Sequence, residues 1–452
     1  MAKSLTSGNP LKLIIRFALP VILGNLIQQV YNTADLIMVG KLIGNDALGA
    51  VGSTGSITFL IIGFLIGISE GSCMLVARFF GAKDYEKMKH CVGNIIYVLF
   101  GVVIIFTVLA VTFSEEILLF MKTPEELLSL SNTYIKMIYL GMGASMLYNL
   151  CAGLLRALGD SKSPLYFLII SAVVNVGLNY LFIAVIPLGV LGAALATVLA
   201  QLFSGVCCVI HIFRTCEYLR ISPRHMKPAP RLMGEIAKMG LPMGFQYSIT
   251  AIGSVVLQSA INSLGNIAVT AYATCEKVLN PCWSLINCMG IALANYCSQN
   301  LGAGNLARVK KGVRDAGALM VSIAVIFSVT LFFFGKYISL IFLDEKTDEL
   351  FAYITQYFTT QPIFFVPLSF IGILRNSVQG LGFSMQAMFG GVLELFGRSS
   401  IAIIFVPLYG FSAACFASPV AWVSAALLFV FLYIYAIRKL SKDHPEWCLK
   451  EI

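Results

Sequence analysis

The chain has 452 residues, of which 58% are hydrophobic and 12% are charged, and its formal net charge is +9. Soluble domains usually carry about 25% charged residues, so this composition excludes a soluble globular protein and indicates a membrane protein. The sequence contains no phosphate-binding P-loop, no HExxH motif and no nucleophile elbow, which argues against nucleotide chemistry and against an enzyme.

Long apolar segments recur along the whole chain. A helix that crosses a bilayer needs about 20 predominantly apolar residues. By this measure the sequence predicts an all-α polytopic membrane protein with twelve transmembrane helices, over residues 12–38, 51–79, 91–113, 127–155, 164–186, 190–213, 233–262, 270–299, 313–334, 349–374, 383–407 and 411–437. No A-x-A cleavage site precedes the first span, so we expect that span to act as the insertion signal.

Basic residues lie in alternate loops between these spans, and acidic residues lie in the opposite loops. The largest basic group is Arg214, Arg220, Arg224, Lys227 and Arg231, and the acidic loops hold Glu115, Glu116, Glu125, Glu126, Asp344, Glu345, Asp348 and Glu349. Because cytoplasmic loops carry the excess of Lys and Arg, both termini are predicted to be cytoplasmic. We expect a multi-pass protein of a bacterial plasma membrane, with the lipid bilayer as its partner and no nucleic acid.

The sequence contains an internal duplication at an offset of 220–222 residues. LIGNDALGA at 42–50 matches SLGNIAVTA at 263–271, and RFFGAKDYEKMK at 78–89 matches QNLGAGNLARVK at 299–310. Tandem copies of a membrane unit are typical of alternating-access transporters. Each copy holds six predicted spans, an even number, so the copies share one topology and a pseudo-two-fold axis along the membrane normal relates them.

The duplication divides the chain into two lobes of six helices. The segment between the copies, RTCEYLRISPRHMKPAPRL, is basic and contains three prolines, which break helices. The predicted organisation is an N-lobe over residues 1–213, a cytoplasmic linker over 214–232, a C-lobe over 233–440 and a cytoplasmic tail over 441–452. We expect the chain to be a monomer.

Pro20 and Pro242 occupy matching positions in the first span of each copy. A proline inside a helix leaves a backbone carbonyl unpaired and favours a bend, so both residues are predicted to serve conformational change. Glycines recur at residues 63, 67 and 71 and predict that helices approach closely there.

Polar residues inside the spans are the best indication of function, because an ionisable group at mid-bilayer costs at least ~2.5–3.5 kcal/mol. Asp35 lies in the first span with Gln28 and Asn32, and the i, i+4, i+7 spacing places all three on one helix face, next to Tyr31. This face predicts a cavity or an ion site. The alternative is an aspartate at the outer end of the helix.

Asn175 and Asn179 lie one turn apart in the fifth span, and Thr197 lies in the sixth. Amide and hydroxyl oxygens coordinate hard cations and also hydrogen-bond to carboxyl groups. These residues are candidates for an ion site, and the alternative is hydrogen bonding between helices.

Other residues inside the spans are candidates for substrate binding. Glu70, near the middle of the second span, could bind a cationic substrate or carry a proton; the alternative is a buried, neutral glutamate. The predicted substrate-binding set is Gln28, Tyr31, Asn32, Glu70, Tyr148 and Tyr247.

Three features predict structure rather than chemistry. Glu394 and Arg398, at i and i+4, are expected to form an intrahelical ion pair. Glu276 and Lys277 are adjacent, so they point apart, and we expect them near the outer rim. The twelve cysteines contain no CxxC pair and the four histidines lie at span ends or in cytoplasmic loops, so no metal site is predicted.

Five stretches in order carry a resemblance to a known family. They are PVILGNLIQQVYNTADLIMVG (20–40), RFFGAKD (78–84), LRALGDSKSP (155–164), SQNLGAGNLARVKKG (298–312) and QGLGFS (379–384). With these motifs on two six-span halves, residues 10–440 resemble the multidrug and toxic compound extrusion (MATE) family.

The resemblance implies a cation-coupled antiporter that exports amphipathic, cationic drugs or metabolites by alternating access, with H⁺ or Na⁺ as the coupling ion and no other cofactor. It also implies that Asp35, Asn175, Asn179 and Thr197 form the cation site. Asn179 departs from the family pattern, which often has Asp there. A second cation site in the C-lobe is not expected, because Leu257 stands at the position equivalent to Asp35.

The alternative function is a flippase for a lipid-linked or glycan precursor on a related two-lobe plan. Such a protein usually places a strongly basic cavity against a phosphate group. The spans here hold few basic residues, namely Lys136, Lys277 and Arg398, and Glu70 and Glu394 oppose them.

Overall fold

The computed structural model describes residues 4–121, 123–343, 347–448 and 450. Asp344 and Glu345 of the predicted acidic loops lie outside these ranges, as do residues 449, 451 and 452 of the predicted tail. The first copy of the duplication forms α1 (Pro10–Leu42), α2 (Asn45–Gly81), α3 (Tyr85–Thr112), α4 (Ser114–Phe120), α5 (Glu125–Leu140), α6 (Met142–Ala157), α7 (Lys162–Asn179) and α8 (Gly189–Thr215).

The second copy repeats this order. It forms α9 (Pro230–Asn262), α10 (Asn266–Gly302), α11 (Leu306–Ser339), α12 (Asp348–Thr360), α13 (Phe365–Gly380), α14 (Ser384–Ser400), α15 (Val406–Tyr409) and α16 (Phe411–Asp443). A π-helical turn follows both α7 and α14, at Tyr180–Val185 and Ile401–Phe405. The part of the chain that the structure describes contains no β-strand.

The helices confirm an all-α polytopic membrane protein. Among the described residues, ten helical segments are long and apolar enough to cross a membrane, and α5 with α6 makes an eleventh if the pair is one span. The pair bends by 46°, so the predicted span over 127–155 is not one straight helix. The remaining predicted span corresponds to α10, which has 37 residues but is less apolar and carries Glu276 and Lys277.

Packing divides the chain into two compact units. Unit 1 contains Leu19–Gly244, and unit 2 contains Leu5–Ala18 together with the described residues of Phe245–Ile452. The predicted lobes follow the duplication, whereas packing places the start of α1 in unit 2 and the start of α9 in unit 1. The point at which α1 passes from one unit to the other lies within two residues of Pro20, and the corresponding point in α9 lies within two residues of Pro242. Both helices continue past their prolines, so bending there stays a prediction.

The repeated loop motif forms the same corner in each unit. Lys83 and Gly304 hold equivalent positions after α2 and α10, and both have left-handed backbone, with φ of 59° and 63°. The next residue then caps the following helix: Asp84 accepts from Lys87 N at 3.2 Å, and Asn305 accepts from Arg308 N at 2.9 Å. The local sequence therefore dictates both the end of one helix and the start of the next.

Unit 1 is held together by close contact between α2 and the start of α9. A Cβ atom added at Gly67 would lie 2.7 Å from the main-chain oxygen of Met243, and one added at Gly71 would lie 2.6 Å from that of Met239. Apolar burial does not drive helix association in lipid, so van der Waals contact between small residues becomes important. The predicted close packing at the glycine repeat is present.

Unit 2 contains a similar contact between α10 and α13, and it also holds the chain that precedes α1. A Cβ atom at Gly380 would lie 2.5 Å from the main-chain oxygen of Ala294. Before α1, Leu5 N donates to Gln299 Oε1 at 2.8 Å, and Asn300 Nδ2 donates to Leu5 O at 3.2 Å. These bonds tie the amino-terminal segment to α10.

Asp160 organises the turn between α6 and α7. Its carboxylate accepts from Lys162 N and Ser163 N, both at 3.1 Å, and from Ser163 Oγ at 2.7 Å. Burial alone would raise the pKa of Asp160, but these hydrogen bonds outweigh it and hold the pKa below its ordinary value. Asp160 thus satisfies N–H groups that the start of a helix leaves unpaired.

Replacing Gly71 by Ala should lower the free energy of unfolding by roughly 1–3 kcal/mol, because the added methyl group must displace the main chain of α9. Gly101→Ala in α3 is the matched control, since nothing lies within 4 Å of a Cβ atom there. Thermal unfolding of the purified protein in detergent measures both. An unchanged unfolding temperature for Gly71→Ala would contradict the close packing.

Replacing Asp160 by Asn should lower the stability by about 1 kcal/mol at neutral pH, because a neutral amide oxygen accepts hydrogen bonds more weakly than the charged carboxylate does. A carboxyl group whose pKa is lowered by folding stabilises the protein above its ordinary pKa of about 3.9, and this contribution is lost as the pH falls through the lower folded value. The difference between wild type and Asp160→Asn should therefore shrink in acid, measured as unfolding temperature against pH. Asp46→Asn at the start of α2 is the control, and a pH-independent difference would refute the assignment.

Candidate functional site

Asp35 of α1 is the centre of a polar cluster inside unit 1. One carboxylate oxygen, Oδ1, accepts a hydrogen bond from Asn179 Nδ2 of α7. The other, Oδ2, accepts from Thr197 Oγ1 of α8 at 3.2 Å. The carboxylate is thus bonded inside the bundle rather than standing free at the end of its helix.

The two asparagines of α7 complete a ring with Asp35 and Thr197. Asn179 Nδ2 also donates to Asn175 Oδ1 at 2.9 Å, and Asn175 Nδ2 contacts Thr197 Oγ1 at 3.5 Å. Both asparagine side chains are 0% exposed. The structure therefore brings together all four residues that were predicted for cation coupling, from three helices.

The cluster is rich in oxygen atoms. Asn179 Oδ1 is buried and has no hydrogen-bond partner among the described residues, and the carboxylate supplies two more oxygens. Oxygen ligands suit hard cations, and a carboxylate with hydrogen-bond donors around it also suits a proton. The arrangement can therefore hold a small cation or exchange a proton.

Two tyrosines border this cluster. Tyr31 of α1 lies one turn from Asp35 and interacts with Asp35 and with Thr197. Tyr134 of α5 also interacts with Asp35, and sequence analysis did not single it out. No spacing in the sequence relates α5 to α1, so only the packing of the helices places Tyr134 here.

Gln28 and Asn32 are exposed, unlike Asp35, which is partly buried. Within the described part of the chain, no hydrogen bond joins either side chain to the Asp35 cluster. The i, i+4, i+7 spacing keeps Gln28, Asn32 and Asp35 within about 60° of one another around the helix, but Gln28 lies about 10 Å from Asp35 along the helix axis. The three residues share a helix face, and of the three only Asp35 takes part in the cluster.

Glu70 and Tyr148 both have partners within unit 1. Arg156 Nη2 lies 3.9 Å from Glu70 Oε1, and both side chains are mostly buried. Tyr148 Oη donates to Pro164 O at 3.4 Å, which links α6 to α7. Tyr247, on α9, is partly buried and belongs to unit 2. The predicted substrate set is thus dispersed, and its role stays a prediction.

The predicted ion pair between Glu394 and Arg398 is wrong in its geometry. Among the described residues the two side chains form no direct salt bridge, and both Glu394 Oε1 and Arg398 Nε are buried without a hydrogen-bond partner. Arg398 Nη1 instead donates to Ser254 Oγ of α9 at 3.0 Å. Packing against α9 draws the guanidinium away, so Glu394 interacts with Arg398 and with Arg375 only electrostatically.

A second polar cluster lies inside unit 2, where the sequence indicated only an outer rim. Tyr357 of α12 donates to Glu276 Oε1 of α10 at 2.7 Å, and Tyr272 and Arg398 interact with the same carboxyl group. Glu276 is partly buried and its neighbour Lys277 is exposed, so the pair do point apart as expected. Tyr357 packs over the Glu276 carboxyl group, and the position of Glu276 near the outer rim stays a prediction.

The position in unit 2 that is equivalent to Asp35 is apolar. Leu257 is 1% exposed and packs with Ile261, Ala402, Val406 and Ala414. The ring of polar side chains in unit 1 therefore has no counterpart at this position of the second copy.

Three comparisons relate the chain to known proteins. The profile of the MatE family matches residues 20–181 and 242–408. YpnP of Bacillus subtilis (strain 168), a probable multidrug resistance protein, is 28% identical over 392 residues, 86% of each chain. The multidrug export protein MepA of Staphylococcus aureus (strain MRSA252) is 24% identical over 443 residues, 96% of each chain. A crystal structure of a MATE protein in the bent conformation has a TM-score of 0.90 at 22% identity and covers 98% of both chains.

Replacing Tyr357 by Phe should lower the free energy of unfolding by about 1–3 kcal/mol, because it removes a hydrogen bond to the carboxyl group of Glu276. Tyr139→Phe is the matched control, since the Tyr139 hydroxyl is buried with no hydrogen-bond partner among the described residues. Its removal should be neutral or stabilising. Thermal unfolding of both variants tests this prediction. Equal losses of stability in the two variants would refute the role of the Tyr357–Glu276 bond.

Proposed function

The chain belongs to the MatE family of membrane transporters, and from this premise we propose that it is a secondary active efflux transporter driven by protons. The family match covers most of both copies. The relatives named above are described as multidrug resistance and multidrug export proteins, which supports efflux of several compounds rather than of one nutrient. The proposed substrates are amphipathic cations.

The observation that carries this proposal is the ring around Asp35. A residue that changes charge inside a bundle alters the hydrogen bonds that it accepts, here from Asn179 of α7 and Thr197 of α8. Protonation of Asp35 would weaken both, because a neutral carboxyl group is a poorer acceptor than a carboxylate. The charge state of one residue would thus change how α1 packs against two other helices.

A proton is favoured over Na⁺ by the composition of the ring. Its single carboxylate already accepts from an amide and from a hydroxyl group, and Asn179 stands where a second carboxylate is common in the family. A metal cation would have to displace these donors with little negative charge to compensate. A proton needs only the carboxylate, so we propose H⁺ as the coupling ion and Na⁺ as the alternative to be tested.

The driving force is adequate for export. One charge moving through 100 mV gives about 2.3 kcal/mol. A gradient of one pH unit adds about 1.4 kcal/mol. Together they support an accumulation of roughly several-hundred-fold if one charge moves per cycle.

The proposed motion starts where α1 changes its packing. α1 passes from unit 2 to unit 1 between Ala18 and Leu19, beside Pro20. Because Pro20 cannot donate a backbone hydrogen bond, the helix can bend there at low cost. Asp35 is farther along the same helix, so its protonation would bias the bend and hence the alternation between outward and inward access. Both termini are proposed to be cytoplasmic, as the basic loops indicate.

The partners of Arg156 and Arg398 argue against the flippase alternative. Its basic cavity would need unpaired cations inside the spans. Arg156 faces Glu70, and Arg398 donates to Ser254 near Glu276 and Glu394. These cations are already balanced within the protein.

Asp35→Asn should abolish proton-driven accumulation of a fluorescent cationic dye in proteoliposomes, because an amide cannot take up and release the proton. Asp46→Asn is the control for a charge removed elsewhere, and it should transport like wild type. Imposing the pH gradient and the Na⁺ gradient separately identifies the ion. If Asp35→Asn accumulates dye as well as wild type at equal reconstitution, the coupling role is wrong.

Asn179→Asp tests the identity of the coupling ion by adding a carboxylate to the ring instead of removing one. A second carboxylate beside Asp35 adds negative charge to the same ring, so we expect a Na⁺ gradient to drive uptake in this variant more strongly than in wild type. A wild type that already responds to Na⁺ and not to the pH gradient would overturn proton coupling while leaving efflux intact.

A further inference from the structure

The linker between the two copies lies directly on the start of α3. Ala229 N donates to Asn94 Oδ1 at 2.8 Å, and Asn94 Nδ2 donates to Lys227 O at 3.3 Å. A Cβ atom at Gly93 would lie 2.3 Å from the main-chain oxygen of His225, so only glycine permits this approach. The contact places the side chain of His225, 2% exposed, against the first turns of α3.

Three potential metal ligands meet at this contact. Glu86 and His90 are four residues apart on α3 and therefore share a face. His225 approaches from the linker, and one ligand atom from each residue lies within 4.8 Å of the others. His225 Nε2 is 3.3 Å from Glu86 Oε2, and the two imidazole rings are 5.1 Å apart. Two imidazoles and a carboxylate are the donor set of many zinc sites that keep a fourth position for water.

The surroundings of His225 suit a metal ligand. Ser222 N donates to His225 Nδ1 at 2.9 Å, which directs Nε2 and its proton toward Glu86. A metal ion bound at Nε2 would move this proton to Nδ1, where Ser222 Oγ, at 3.0 Å, would accept it in place of the bond from Ser222 N. A hydrogen bond from the second ring nitrogen is the usual way in which proteins orient a histidine that binds a metal.

Arg224 occupies the position that a cation would take. Its Nε lies 3.2 Å from His225 Nε2, and its Nη2 lies 3.2 Å from Glu86 Oε1. The Arg224 side chain is 68% exposed, so it can swing into water at little cost. Glu86 is exposed as well, which leaves an ion a direct path from solvent.

We propose that Glu86, His90 and His225 form a binding site for a divalent transition-metal ion of the zinc class, which fastens the linker to α3. No metal site was expected from the sequence, because the four histidines lie at span ends or in loops, and the two histidines of this site are 135 residues apart. The site arises only because the linker folds back onto α3. It is independent of the Asp35 cluster and of the transport proposal.

Cobalt(II) is the probe for this site, because its visible absorption reports the ligands. Titration of the full-length protein in detergent should show one site with nitrogen and oxygen ligation and no thiolate charge-transfer band. Glu86→Gln, His90→Ala and His225→Ala should each weaken binding by at least about tenfold. His444→Ala is the matched control, since His444 also contacts a glutamate at the surface, Glu446, at 3.4 Å.

Arg224→Ala separates a metal site from a purely structural contact. Removing a positive charge beside a divalent ion should tighten cobalt binding by about tenfold, whereas Arg224→Lys should leave it nearly unchanged. A structural role alone predicts no gain in affinity. Wild-type binding no tighter than that of His90→Ala, or a thiolate band in the spectrum, would overturn the proposal.

Stability measurements keep the test decisive if His225→Ala folds poorly. Cobalt should raise the unfolding temperature of wild type with the logarithm of its concentration, because a ligand that binds only the folded state stabilises it by mass action. His90→Gln, which retains a polar side chain on α3, should lose this shift. Hydrogen exchange of residues 216–229 should slow on adding cobalt to wild type and not to His90→Gln. A shift of equal size in both proteins would overturn the proposal.

Discussion

The structure depends on one constraint: inside a membrane, polar groups must be satisfied by the chain itself, because no water is available. For the backbone this requirement produces the long helices. For side chains it produces Asp35 with donors from α7 and α8, and Glu276 with Tyr357. These bonds join helices that are distant in sequence, so the groups that are most expensive to bury also hold the units together. The bonds that Asp35 accepts would change if it took up a proton. Asp35 is therefore important both for the stability of unit 1 and for the proposed coupling.

The two copies share the turns and caps of their helices, but they differ in the polar residues that could bind an ion. Lys83 and Gly304 form the same left-handed corner, and Asp84 and Asn305 cap the helices that follow. These features are local, and both copies need them to return the chain into the membrane. Leu257, in contrast, lies in an apolar cluster where the first copy has Asp35. Each unit therefore keeps the same helical frame, while one of them carries the ring of amides and hydroxyl groups.

The segments that precede α1 and α9 are more than spacers. The segment before α1 is bonded to α10 through Leu5, and the linker before α9 is bonded to α3 through Asn94. In both cases the chain that leads into the first helix of one copy is held by a unit built largely from the other copy. A metal ion at Glu86, His90 and His225 would strengthen one of these two attachments without touching the membrane-embedded cluster. Metal binding at the linker and coupling at Asp35 would then be separate properties of the chain.

The sequence by itself determined what depends on neighbouring residues. Apolar length placed the helices, the glycine repeat in α2 indicated close packing, and the duplicated loops marked the corners. The family resemblance singled out Asp35, Asn175, Asn179 and Thr197, and the tertiary structure brought these four together. Only the tertiary structure decided which partner each polar side chain takes: Arg398 turns to Ser254, Glu70 faces Arg156, and His225 reaches α3. Helical spacing defines the face on which a side chain lies, but its partner comes from another helix or loop, and packing alone selects that neighbour.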